Sequence, residues 1–254
     1  MAMRHNGHEL RRIGSQPTMT TPVLDHNGCS DQGAWTASRC AEPLLVTLPA
    51  AWVRSGVALT GLLLVLFVLV HLIGLVPALL ALAQFEAYAT ALHSSPWLPL
   101  VELGLLLLAV VHISLTLIKT IANRRAGNTA TLRSRRPSPL ASLASRSTVL
   151  AGLVTLGFLV IHLRQLRWPR PAAGNEAATL IQVLQHPWNA ALYAAAAVAL
   201  ALHLLHGAEA AHRSLGWLTP ANSSALRRGA GVIAALIGGG FLTISLVLAL
   251  GGVA

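Results

Sequence analysis

Five stretches of about twenty mostly apolar residues, at 55–76, 99–121, 147–168, 189–212 and 231–250, constrain this chain more than anything else in it. At ~1.5 Å of rise per residue, each is long enough as a helix to cross ~30 Å of hydrocarbon. A segment in lipid must satisfy its own backbone hydrogen bonds, so each stretch is expected to be an α-helix. The expected fold class is an all-α integral membrane protein with five transmembrane helices, the first four forming a bundle. Composition agrees: 54% hydrophobic residues, 10% charged residues and a mean hydropathy of +0.64 exclude a disordered chain and do not suit a water-soluble domain. The first apolar stretch begins too late and runs too long for a secretory signal, so a retained span is expected.

A net charge of +10 suggests nucleic acid until the charges are located. Nearly all lie between the apolar stretches, so they report topology, and no nucleic-acid partner is expected. Residues 77–98 contain no Lys or Arg, whereas the next connection carries Lys119, Arg124, Arg125, Arg133, Arg135, Arg136 and Arg146. The positive-inside rule puts that connection in the cytoplasm, together with Arg213, Arg227 and Arg228 and the N-terminus. Arg164, Arg167 and Arg170 dissent at the outer end of the third helix. Trp52, Trp97, Trp168, Trp188 and Trp217 fall at expected membrane boundaries, where indole rings act as interfacial anchors. The domain division is a flexible cytoplasmic arm over 1–50 and a membrane domain over 51–254, in a cytoplasmic (inner) or other energy-transducing membrane. Both cysteines, Cys29 and Cys40, lie in the arm, so neither a disulfide framework nor a four-cysteine iron site is available.

The first four helices each carry one informative histidine: His71, His112, His162 and His203. A single intramembrane histidine is explained as well by a hydrogen bond across the bundle, but four at matched depths are not. His71 and His162 lie about 15 to 16 residues past their cytoplasmic starts, roughly 22 to 24 Å deep, and form an outer pair. His112 and His203 lie roughly 10 to 15 Å from the cytoplasmic boundary and form an inner pair. Facing imidazoles from different helices are the ligands expected of a buried heme, and two pairs would hold two hemes. A zinc site would gather three or four ligands at one depth. Without a CxxCH motif, the expected cofactors are two non-covalent b hemes. His206, three residues after His203 on nearly the same face, is the alternative inner ligand.

Ser55, Gly56, Thr60, Gly61, Gly152 and Gly157 are small enough to admit a macrocycle or simply another helix. Arg54 and Ser55, at the cytoplasmic mouth of the first helix, could meet heme propionates or a quinone carbonyl, or serve only as anchor and cap.

FVLVHLIG, LAVVHISL, LGFLVIHL and LALHLLHG, with SSPWLPLVELG, LQHPWNAALY and HGAEAAHRSLGW around them, resemble the diheme cytochrome b membrane anchor of succinate:quinone oxidoreductases and quinol:fumarate reductases, five-helix single-subunit type. The likeness covers roughly residues 50–250. It implies that His71, His112, His162 and His203 or His206 bind two b hemes. It further implies partnership with an iron-sulfur subunit and a flavoprotein subunit of succinate dehydrogenase, and electron transfer to a quinone. Glu209 and His212 depart from residues common in relatives. For the protons a quinone must gain, Glu86 is the expected acidic carrier near the outer heme, with Glu102 its rival. The competing readings are the diheme subunit of another quinone-reactive dehydrogenase or a hydrogenase, an anchor lacking one or both hemes, and a histidine-containing transporter.

Overall fold

The computed structural model describes residues 48–127, 139–168 and 170–251. Most of the N-terminal arm, with both cysteines, lies outside the described residues, as do Arg133, Arg135 and Arg136.

The first long helix, α1, runs Ala50–Leu75. It stops where Pro77 removes an amide donor, and one further turn, α2 (Pro77–Leu80), uses that proline in its first turn, where the missing N–H costs nothing. Extended backbone at Ala81 then turns the chain into α3 (Leu82–Ser94). The second long helix, α4 (Leu98–Arg125), returns across the bundle, again with a proline in its opening turn. The pattern then repeats as α5 (Pro139–Leu166), short α6 (Glu176–Gln185) and α7 (Pro187–Ser214). A final long helix, α8 (Ser223–Ala249), follows. Among the described residues the fold is all-α, and α1 with α2, α4, α5, α7 and α8 supply five spans long and apolar enough to cross a membrane.

The spans expected from hydropathy are all present, but α5 and α8 each begin eight residues earlier than their apolar stretches. The added turns carry Ser142, Ser145 and Arg146 in α5, and Ser224, Arg227 and Arg228 in α8, all polar yet helical. The connections 77–98 and 169–188 hold α3 and α6, which hydropathy did not reveal. α6 buries Glu176, Ala177, Leu180 and Leu184 along one face, as an amphipathic helix does.

α1 lies along α4, α5 along α7, and α1 also packs on α7; α8 closes against α7. Between helices in lipid, close approach of backbones replaces the hydrophobic drive, and small residues allow it. The alanine-rich face of α7 does this: a Cβ added at Gly238 of α8 would stand 2.5 Å from the Ala201 Cβ. Leu72, Phe85, Leu180, Leu184, Tyr193, Ile237, Ile244 and Leu248 form the buried core, gathered toward the capped end, the one that α3 and α6 cover. The opposite, basic end carries Arg54, Lys119, Arg124, Arg125, Arg146, Arg213, Arg227 and Arg228.

Candidate functional site

His71 on α1 and His162 on α5 meet in the interior nearer the capped end, ring centroids 6.1 Å apart and planes at 80°. Four aromatic rings surround them. Phe67 stacks on His71 at 5.7 Å, Phe158 lies 5.5 Å from His162, and Phe241 and Tyr193 complete the set at 5.9 Å from His71 and His162 respectively. Nearer the basic end, His112 on α4 and His203 on α7 lie within electrostatic reach of each other. Each rests on a glycine of the neighbouring long helix. A Cβ at Gly61 would come 3.2 Å from His112 Cε1, and one at Gly152 would come 3.2 Å from His203 Cε1. Gly157, by contrast, faces open space, and Gly56 meets Leu115.

Hydrogen bonds fix the tautomer of three of these rings. The His203 Nδ1 partner is the Thr148 carbonyl at 3.3 Å, an acceptor only, so Nδ1 carries the proton. For His112 the partner is Thr60 Oγ1 at 3.0 Å; that hydroxyl donates its own proton to the Gly56 carbonyl at 2.7 Å and so accepts from Nδ1–H. For His162 the partner is the Tyr193 hydroxyl at 3.3 Å, which donates onward to Gln165 Oε1 at 3.1 Å. Gln165 Nε2 then donates to Asn189 Oδ1 at 2.9 Å, and Asn189 Nδ2 donates to the Val183 carbonyl at 2.9 Å. A proton on Nδ1 leaves the Nε2 lone pair of all three imidazoles available as a ligand.

The histidines are also related to one another along the chain. Gly61, Phe67, His71, Pro96, Trp97 and His112 recur as Gly152, Phe158, His162, Pro187, Trp188 and His203, each 91 positions further on. With the same offset α1 falls on α5, α3 on α6 and α4 on α7, so the described bundle is a helix–short helix–helix unit stated twice, with α8 added. Each histidine pair therefore joins equivalent residues of the two repeats. Self-comparison of the sequence reveals this relation, which hydropathy and motif reading passed over.

The other expected site residues lie on α1, α3, α4 and α7. Arg54 is exposed at the start of α1, within electrostatic reach of Lys119, and Ser55 beside it is half-buried. His206 lies about one turn from His203, toward the basic end. Glu86, on α3, receives the backbone N–H groups of Glu176 at 3.0 Å and Ala177 at 2.7 Å, supplying from another helix the anion that the start of α6 favours. Glu176 in turn accepts from the Gly174 amide at 2.9 Å, the Thr90 hydroxyl at 3.2 Å and His93 Nδ1 at 3.3 Å. Burial pushes the Glu176 carboxyl up, but the neighbouring Glu86 carboxyl and the hydrogen bonds from the local backbone and His93 outweigh it and hold the group at about 2. Glu102 makes a two-pronged ion pair with Arg167, both contacts 2.6 Å, tying the start of α4 to the end of α5. That hydrogen bond raises the Arg167 guanidinium further. Arg170 donates to the His93 carbonyl at 2.9 Å. Glu209 is buried between Arg213 at 2.6 Å and Arg227 at 3.7 Å, linking α7 to α8, and the His212 ring bonds the Ala208 carbonyl.

Among the described residues no group of three or more His, Cys, Asp or Glu side chains gathers at one point to hold a metal ion; the intramembrane histidines come two by two. The molecule is thus an integral membrane protein built from two repeats with paired interior histidines. Set against models of protein families, curated proteins and solved structures, the chain matches none.

Proposed function

We propose that this chain is a diheme cytochrome b membrane anchor that carries electrons between a docked iron-sulfur subunit and a quinone, in a complex of the succinate:quinone oxidoreductase or quinol:fumarate reductase type. The observation that carries the reading is the pairing of equivalent histidines across the two repeats, with Nδ1 protonated in three of the four. A heme is itself close to two-fold symmetric about its iron, so a ligand pair drawn from two equivalent repeats suits it. Two imidazoles that held one metal between them, at ~2 Å per nitrogen–metal bond, would have centroids roughly 6 Å apart, in keeping with the 6.1 Å between His71 and His162.

In this reading His71 and His162 hold one heme and His112 and His203 the other. When bound, each heme supplies one-electron transfer through its iron. The chain's own residues hold the imidazoles, and Gly61 and Gly152 leave them room. Phe67, Phe158 and Phe241 keep water from the pair nearer the capped end. That end is the outer one if the basic end faces the cytoplasm, where Arg54 and Ser55 would meet propionates or the soluble subunits. Glu86 remains the proposed proton carrier to the quinone; it stands at the rim of an apolar groove of about 390 Å³ between α3 and α6, lined also by Leu82, Ala83, Ala177, Ala178 and Ile181. The dicarboxylate class of the partner rests on the sequence resemblance.

The test is a reduced-minus-oxidised spectrum of the purified membrane complex with pyridine hemochrome quantification and identification of the co-purifying subunits. About two b hemes per chain with a flavoprotein and an iron-sulfur subunit is the expected result. An intact complex reproducibly free of heme would overturn the electron-transfer reading. Hemes accompanied by hydrogenase or molybdenum-enzyme subunits would overturn the choice of partner.

A further inference from the structure

His71 and His162 are equivalent in the repeat, yet their surroundings are not. The chain of donors from His162 through Tyr193, Gln165 and Asn189 to the Val183 carbonyl runs in one direction and ends on a backbone acceptor, which fixes every proton along it. At the three equivalent positions the first repeat has Glu102 for Tyr193, Gly74 for Gln165 and Leu98 for Asn189. Glu102 is turned to Arg167, and His71 is held by the faces of Phe67 and Phe241. All three members of the relay are therefore confined to the second repeat. Packing alone does not account for the Tyr193 hydroxyl, because its ring already makes an edge contact with Phe158 at 4.8 Å.

We propose that Tyr193, oriented by Gln165 and Asn189, is a positioning residue that sets the donor strength of His162 and so lowers the reduction potential of the heme held by His71 and His162. The proposal rests on the diheme reading. Accepting a hydrogen bond from Nδ1–H makes the imidazole a more basic ligand, which favours the ferric state, and it also holds the ring in the orientation its iron requires. Among the described residues His71 has no such support, so the two imidazoles that would hold this heme would be electronically unequal, and the pair could be tuned from one side.

The experiment is a spectroelectrochemical titration of both hemes in the full membrane complex, with wild type, Tyr193→Phe and Asn189→Leu compared. Asn189→Leu installs the residue of the equivalent position in the first repeat and leaves every atom touching His162 in place. Tyr193→Phe is expected to raise the reduced-to-oxidised ratio of the His71–His162 heme roughly threefold at a fixed ambient potential, which is ~30 mV at ~59 mV per decade for one electron. Asn189→Leu should shift it the same way by less, and the His112–His203 heme should stay put in both. A potential unmoved by Tyr193→Phe, with two hemes retained, overturns the inference while leaving the diheme reading intact. Equal shifts of both hemes also overturn it. Wild-type protein without heme would sink the diheme reading instead. Should Tyr193→Phe lose the heme, Asn189→Leu decides: a shift confined to the His71–His162 heme supports the relay, and none overturns it.

Discussion

The first repeat, α1 to α4, and the second, α5 to α7, place glycine, phenylalanine and histidine at equivalent positions and then treat the flanking positions differently. In the first, His112 is fixed by a side chain, Thr60; in the second, His203 is fixed by a backbone carbonyl, that of Thr148. In the first, position 102 is a carboxylate committed to an ion pair with Arg167; in the second, the matching Tyr193 serves His162. The difference separates two tasks. What both repeats share is what the proposed ligand pair would need, and what they do not share makes the two sides of that pair distinguishable.

The largest expected effect tests the shared part. His71→Ala and His162→Ala should each take the same heme, dropping the content from about two per chain to about one, and His112→Ala and His203→Ala should each take the other. Spectra in which His71→Ala and His162→Ala erase different signals would break the cross-repeat pairing. Next come Gly61→Val and Gly152→Val. The 3.2 Å already separating a hypothetical Cβ from either imidazole leaves no room for branching, so both should cut occupancy of the His112–His203 heme several-fold and spare its companion.

A smaller effect sharpens the contrast between the repeats. Thr60→Val removes the acceptor for His112 and should lower thermal stability by ~1 kcal/mol, whereas Thr148→Val keeps the backbone acceptor of His203. Equal changes in ligand-field spectra for the two variants would count against the assigned tautomers. The smallest concerns the join between α3 and α6. The Glu176 carboxyl is depressed from its ordinary 4.5 to about 2, so its contribution is full above about pH 4.5 and is lost as pH falls through about 2. Hydrogen exchange at the Gly174 amide, which donates to this carboxylate, should therefore accelerate across that window beyond its intrinsic pH dependence, and Glu176→Gln should remove the excess. Thr90 and His93 donate to the same carboxylate, so their variants are the natural comparison.

Hydropathy reads the five spans because apolar length is what lipid demands. It misplaces the starts of α5 and α8 because Arg146 and Arg227 end an apolar stretch without ending a helix. α3 and α6 escape because short helices with mixed polarity look like loops until Glu86 is seen capping α6. The four histidines are legible, being polar groups in segments where a polar group needs a reason. Their support is only partly so. Gln165 stands three residues from His162 on the same helical face, a spacing that could be read in advance. Tyr193 and Asn189 become partners only through the packing of α5 on α7, which no local pattern encodes.

The seams of the bundle also have an order in time. α4 lies along α1, its predecessor in the chain, so this hairpin can be complete while the ribosome is still making α5. The seam of α1 with α7 must wait for the fourth span, and α8 can close on α7 only after the fifth has entered. His71 and His162 are both in the membrane once three spans have entered, whereas His112 has no counterpart until the fourth does. Because α5 is joined to α1 through α7, the His71–His162 pair also waits for the fourth span, and the insertion machinery handles a half-built bundle until then.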